Sequence, residues 1–192
     1  MSRERRPVVY FSTGNTHKYH EAARVANGYN IDLKHLRIQK QEIQSDDLAE
    51  IASFSARHAA KSSRKAVVAE DAGLFVRGLH GFPGPYSSYV FDTVGTAGIL
   101  RLMRNVKNRG ASFQAAVAYC EPNQRPICFT GTVGGSLAWR PRGLHGFGFD
   151  PIFVPREGDG RTFAQMSINE KNLSSHRAKA FAKFCKWFAS NQ

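Results

Sequence analysis

The sequence predicts an α/β fold built on a mixed sheet. Three observations carry this: strand-like and helix-like stretches alternate early in the chain, two adjoining strand-like stretches follow later, and no low-complexity linker divides the 192 residues. That length suits one domain, or two lobes sharing one sheet, and suffices to bury a real core. A hydrophobic content of 42% with 11% aromatics excludes a disordered chain, and 22% charged residues is ordinary for a soluble protein.

Residues 7–13 read as a buried strand that Gly14 and Asn15 end. A helix follows from Thr16, with Ala22, Ala23, Val25 and Ala26 apolar and Asn27-Gly28 as its C-cap. Residues 31–38 fit a second strand, with Ile31, Leu33, Leu36 and Ile38 alternating imperfectly. Asp46 and Asp47 open a helix carrying Leu48, Ile51, Ala52, Ser55 and Ala59 on one face, an acidic start that suits the helix dipole. Residues 66–69 form an apolar strand running into Glu70 and Asp71, and a Gly/Pro-rich loop spans 78–86. Ile99, Leu102, Met103 and Val106 recur at helical spacing before Gly110. Residues 113–119 and 127–133 read as paired strands, 143–151 as a second Gly-rich loop, and the C-terminal helix buries Ala178, Phe181, Phe184, Cys185 and Phe188. The pentapeptide Gly-Leu-His-Gly-Phe occurs at 78–82 and again at 143–147, a chance repeat or two turns bordering one cleft.

Lys and Arg number 27 against 15 Asp and Glu, a net charge of +12. Such an excess implies an anionic partner or a solvated basic face, and its spread along the chain does not choose between nucleic acid, a membrane surface and a phosphorylated small molecule. The longest apolar run, residues 115–120, is far short of the ~20 residues of a membrane helix. With no signal-peptide pattern in the opening residues, a soluble, cytoplasmic protein is expected. Cys120, Cys128 and Cys185 are odd in number and contain no CxxC pair, so buried free thiols are expected; Cys120 and Cys128 could face each other across a hairpin, but a reducing cytosol disfavours a disulfide.

Four places could carry chemistry. Thr13-Gly14-Asn15-Thr16-His17-Lys18 forms the first strand-to-helix turn, where backbone N–H groups and side-chain donors suit a phosphate, although the same residues also make an ordinary turn and cap. It lacks the spacing of the common P-loop. Glu70 and Asp71 end an apolar strand, where a carboxylate can hold Mg²⁺ and orient water; Glu42, after the second strand, is a further candidate, and surface acids are the plainer alternative. Phe147-Gly148-Phe149-Asp150 offers two rings and an acceptor to a base, or simply packs in the core. Ser167 and Glu170 have capping-box spacing, and beyond them Lys171, His176 and Arg177 gather donors that suit a phosphate or a base carbonyl, or lie solvated. Together they describe a nucleotide site.

These residues also resemble the inosine triphosphate pyrophosphatase family. The matches are Ser12-Thr13-Gly14-Asn15-x-x-Lys18-x-x-Glu21, Glu70-Asp71-x-Gly73, Gly81-Phe82-Pro83-Gly84-x-Tyr86-Ser87, Phe147-Gly148-Phe149-Asp150-Pro151 and Glu170-Lys171-Asn172-x-x-Ser175-His176-Arg177, in the family's order over nearly the whole chain. The resemblance implies a single domain, residues 1–192, with an elongated sheet, two lobes and a cleft between them, and usually a homodimer. It implies Mg²⁺-dependent hydrolysis of ITP, dITP and XTP to the monophosphate and pyrophosphate, keeping these nucleotides out of DNA and RNA. By position, Thr13, Gly14, Asn15, Thr16, His17 and Lys18 correspond to the phosphate segment, Glu42 and Asp71 to the metal ligands, and Asp71 also to the general base. Ala72 adds a backbone contact where the family usually has Ser or Thr. Phe147, Gly148, Phe149, Asp150, Lys171, His176 and Arg177 correspond to residues around the purine, with Phe149 in place of a usual Tyr or Trp. Two alternatives stand beside this: a Maf-like pyrophosphatase acting on dTTP or UTP, and a basic nucleic-acid-binding module. No specific nucleic acid and no membrane partner are expected.

Overall fold

The structure, a computed structural model, describes residues 6–38, 41 and 43–191. In chain order these form β1 (Val8–Ser12), α1 (Thr16–Asn27), β2 (Asp32–Leu36), α2 (Leu48–Ser63), β3 (Val67–Val76), β4 (Pro83–Gly84), α3 (Ser87–Leu102), β5 (Gly110–Cys120), β6 (Ile127–Leu137), β7 (Phe153–Pro155), α4 (Ile168–Asn172) and α5 (His176–Ala189). One seven-stranded sheet runs β2-β1-β3-β5-β6-β7, with β4 paired to β3. β1 lies parallel to β2 and β3, whereas β3, β5, β6 and β7 pair antiparallel, so the sheet is mixed.

Neighbouring strand residues face opposite sides of a sheet, and the two cores follow that alternation. Val68, Ala115 and Val117 pack with Ala22 and Ala26 of α1 and Phe181 and Phe184 of α5. Val67, Ala69, Ala116 and Ala118 pack with Ala52, Ala56, Ala59 and Ala60 of α2. A third cluster joins Leu74 and Val76 to Val90 and Ile99 of α3, Phe113, Val133, Phe153 and Phe163. Burying each of these large apolar side chains stabilises by roughly 1.5–3 kcal/mol. All five residues expected under the C-terminal helix are buried. No helix among the described residues is long and apolar enough to cross a membrane.

Three local expectations need correction. The strand read at 66–69 continues to Val76, because β5 pairs with it residue by residue from Val67↔Cys120 to Val76↔Ala111. Parallel pairing with β1 ends at Ser12↔Ala69, so Glu70 and Asp71 sit within β3 just where β1 leaves it. α3 begins at Ser87, well before the periodic residues, and changes direction at Gly95, whose φ of 62° and ψ of −167° are not helical. The expected C-cap of α1 is present: Gly28 caps it, with a right-handed φ of −64°, and Asn30 takes the left-handed conformation two residues later. Cys128 pairs with Ala118 rather than facing Cys120, and all three cysteines are free thiols.

Candidate active site

Ser12 ends β1, and the chain turns at Gly14 into α1. Asn15 caps that helix: its Oδ1 accepts from His17 N at 2.9 Å and Lys18 N at 3.1 Å, while its own N–H donates to Thr13 Oγ1 at 3.1 Å. The cap thus consumes two of the N–H groups expected to face a phosphate. It aims Lys18 across β3, where Nζ lies 2.9 Å from Glu70 Oε2.

Behind this turn runs a chain of alternating charges. Arg177 binds Glu70 Oε1 through Nη2 at 2.9 Å and through Nε at 3.1 Å, and donates from Nη1 to Glu21 Oε2 at 2.6 Å. Lys171 donates to Glu21 Oε1 at 2.8 Å and to Asp150 Oδ2 at 2.6 Å, and Asp150 Oδ2 also accepts from Phe147 N at 3.0 Å. Residues from α1, β3, α4, α5 and the 143–150 loop are therefore tied together through buried ions. Burial alone would raise the Glu70 pKa, but the Arg177 and Lys18 charges outweigh it and hold the carboxyl at about 2. Glu21 is lowered in the same way, burial opposing and Arg177 and Lys171 prevailing. The cations Lys18, Lys171 and Arg177 are matched by Glu21, Glu70 and Asp150.

A cavity of about 430 Å³ opens on this network, a size suited to a small-molecule ligand. Of the sequence-predicted residues, Thr13, Gly14, Asn15, Lys18, Asp71, Ala72, Phe147, Gly148, Phe149, Asp150, Lys171, His176 and Arg177 line it; Thr16 and His17 do not, and Glu42 lies outside the described residues. Asp71 also borders a second cavity of about 440 Å³ with Ile43, Pro85, Tyr86 and Tyr89. Among the described residues no three His, Cys, Asp or Glu side chains gather into a metal-holding group.

His176 starts α5 behind the Ser175 cap, its ring stacked on Phe113 with centroids 4.7 Å apart. Burial, then the charges of Arg177, Lys171 and Lys18, push its pKa well below 6.5, so the imidazole is neutral near pH 7. Its Nδ1 has no hydrogen-bond partner among the described residues. Phe149 is buried edge-to-face on Phe91, 5.5 Å between centroids, so it is more core than platform. Phe147 is partly exposed, with Lys171 Nζ 5.1 Å and Arg177 Cζ 5.3 Å from its ring centroid.

The sequence of the chain matches the profile of the Ham1 family over residues 9–187. The chain belongs to the Ham1 family. It is similar to the dITP/XTP pyrophosphatase of Methanopyrus kandleri, 49% identical over 183 residues that cover 95% of this chain and 97% of the relative. It is similar also to the dITP/XTP pyrophosphatase of Saccharolobus solfataricus, 47% identical over 178 residues, 93% of this chain and 92% of that one. The solved structure of a HAM1 protein from Coxiella burnetii matches with a TM-score of 0.84 at 27% identity, covering 96% and 99% of the two chains.

This Ham1-family cavity has a wall that sequence reading missed: Pro85 with Ser87, Ser88, Phe91 and Asp92 of α3, and Phe113 of β5. The apolar spacing that reveals a helix is broken by Gly95 and Gly98, so the first half of α3 gives no clear period. No capping side chain marks the start either, because Tyr86 at the N-cap position makes no side-chain cap hydrogen bond. Glu21 was legible as part of a motif, but its pairing with Arg177, 156 residues away, was not. The two copies of the pentapeptide adopt different turns: His80 and Gly81 take positive φ in the first, Gly143 and Gly146 in the second. Only the second contributes to the cavity.

Proposed function

We propose that this chain hydrolyses ITP, dITP and XTP to the nucleoside monophosphate and pyrophosphate. One observation carries it: Thr13, Lys18 and Asp71, suited to a triphosphate, and Phe147 and His176, suited to a purine, line a single cavity. The names of the M. kandleri and S. solfataricus relatives support the substrate class.

Asp71 and the charge balance of the cavity wall support a divalent cation at this site. The wall's cations are already balanced by Glu21, Glu70 and Asp150, so a polyanionic triphosphate meets little net positive charge there, and Asp71 offers a hard oxygen donor. Asp71 would hold Mg²⁺ with Glu42 as the second expected ligand, and the bound ion would offset phosphate charge and acidify water. Asp71 orients the attacking water toward the α-phosphorus and takes its proton. Lys18 swings between Glu70 and the phosphates and stabilises the departing pyrophosphate.

Purine choice rests on His176. Arg177 turns Nε and Nη2 to Glu70 and Nη1 to Glu21, whereas His176 Nδ1 is uncommitted among the described residues. In the tautomer with the proton on Nδ1, the neutral imidazole donates to the 6-keto oxygen of hypoxanthine or xanthine. Adenine's 6-amino group would set donor against donor in a buried place, a far costlier mismatch than a lost apolar contact. Phe147 supplies the face on which the base stacks.

Tyr86, Tyr89 and Val94 expose apolar surface around α3, which supports a homodimer through that face. The free cysteines support a reducing, cytoplasmic setting. A substrate panel with Mg²⁺, scored by pyrophosphate release, tests the proposal: ITP, dITP and XTP are turned over at least about 10²-fold faster, by kcat/KM, than ATP. Equal rates on all purine nucleotides remove the specificity, and preference for dTTP or UTP moves the chain to a Maf-like activity.

A further inference from the structure

His17 was expected to hold phosphate, yet it stands outside the cavity lining and does something else. Its exposed imidazole stacks on Phe147, with centroids 5.3 Å apart and planes 18° from parallel. The backbone under it is fixed, because His17 N donates to the Asn15 cap at 2.9 Å. Phe147 stands on less regular ground: Gly146 before it and Gly148 after it both hold positive φ, 72° and 61°, in a turn outside any helix or strand. Its own N–H is tied to Asp150, but its ring is placed only by what touches it. The cavity lining includes Phe147 but not His17, whereas the Lys171 ammonium and Arg177 guanidinium, 5.1 and 5.3 Å from the same ring's centroid, do line it; the imidazole is therefore the ring's neighbour outside the cavity lining.

We propose that His17 is a positioning residue for purine recognition: it braces Phe147 from outside, holding the ring in the plane against which the base stacks, and makes no contact with phosphate. The inference rests on the nucleotide reading of the same cavity. It ties the helix that carries Lys18 to the loop that carries the aromatic platform, so the two ends of the ligand meet parts joined by one ring pair. A stacked aromatic pair shifts an equilibrium by roughly two- to tenfold, and a ring that must be re-ordered by each incoming base returns that factor as weaker binding.

Steady-state kinetics of the full chain with Mg²⁺ and ITP, with inorganic tripolyphosphate as competitor, tests this. His17→Ala raises KM for ITP about three- to tenfold while kcat changes by less than about twofold, and the Ki of tripolyphosphate stays constant. His17→Phe, which stacks but cannot donate to phosphate, restores KM. Phe147→Ala raises KM at least as much as His17→Ala, and combining the two adds nothing further. His17→Ala with unchanged KM, beside a Phe147→Ala variant with raised KM, overturns the brace and leaves the base platform standing. Phe147→Ala with unchanged KM overturns the platform itself. A raised Ki for tripolyphosphate in His17→Ala, without rescue by His17→Phe, makes His17 a phosphate ligand and overturns the proposal.

Discussion

Glu70 and Asp71 are adjacent, and successive residues of a strand point to opposite faces, so the two carboxylates have different tasks. Glu70 is fully enclosed between Arg177 and Lys18. Glu70→Gln takes from the buried Arg177 one of its two carboxylate partners and from Lys18 its ion pair, and we expect a loss of about 3–5 kcal/mol in urea unfolding. Asp71 is only partly buried and borders both cavities. Asp71→Asn keeps the fold, and we expect turnover to fall by about 10²-fold or more, measured as pyrophosphate release with circular dichroism as the control for folding. Retained turnover would dismiss Asp71 as the base. Which of two neighbouring acids does which is not readable from their spacing, because the partners that enclose Glu70 come from elsewhere in the chain: Lys18 from α1, and Arg177 from 107 residues away.

At the scale of elements, α5 both covers the sheet and delivers His176 and Arg177 to the cavity. Gly131 of β6 allows the close approach: a Cβ there would overlap the His176 carbonyl oxygen and come within 2.6 Å of Ala180 N. Gly131→Ala forces helix and strand apart, and we expect a cost of about 1–3 kcal/mol in thermal or urea unfolding together with a raised KM for ITP, since His176 moves with the helix. The apolar positions of α5 were legible because Phe181, Phe184, Cys185 and Phe188 recur at helical spacing in an otherwise polar stretch. β3 was read too short, because Glu70, Asp71 and Gly73 look like a strand end until β5 is seen to pair along its whole length. The start of α3 was hidden by two glycines, and with it one wall of the cavity.

Across the whole molecule the +12 charge is not concentrated in the cavity, where Lys18, Lys171 and Arg177 face Glu21, Glu70 and Asp150. This arrangement sets a pH dependence. His176 in the fold binds its proton well below 6.5, so as pH falls past 6.5 the unfolded chain takes up a proton that the folded one refuses, and stability declines. Glu70 adds a second loss as pH falls from 4.5 to about 2, its contribution being complete above 4.5, and Glu21 acts in the same direction. We expect the Tm to be level from pH 7 to 8, to fall below 6.5 and to fall again below 4.5; His176→Asn removes the first decline and keeps the second. Apolar spacing, caps and turn residues act within a few positions along the chain, and they sufficed for the α/β class, for most helices and strands, and for the motifs from which a nucleotide site is expected. Which charges pair, that His17 meets Phe147, and which residues of α3 and β5 complete the cavity emerge with the assembled sheet, because those contacts join segments that are distant in sequence and become neighbours when it forms.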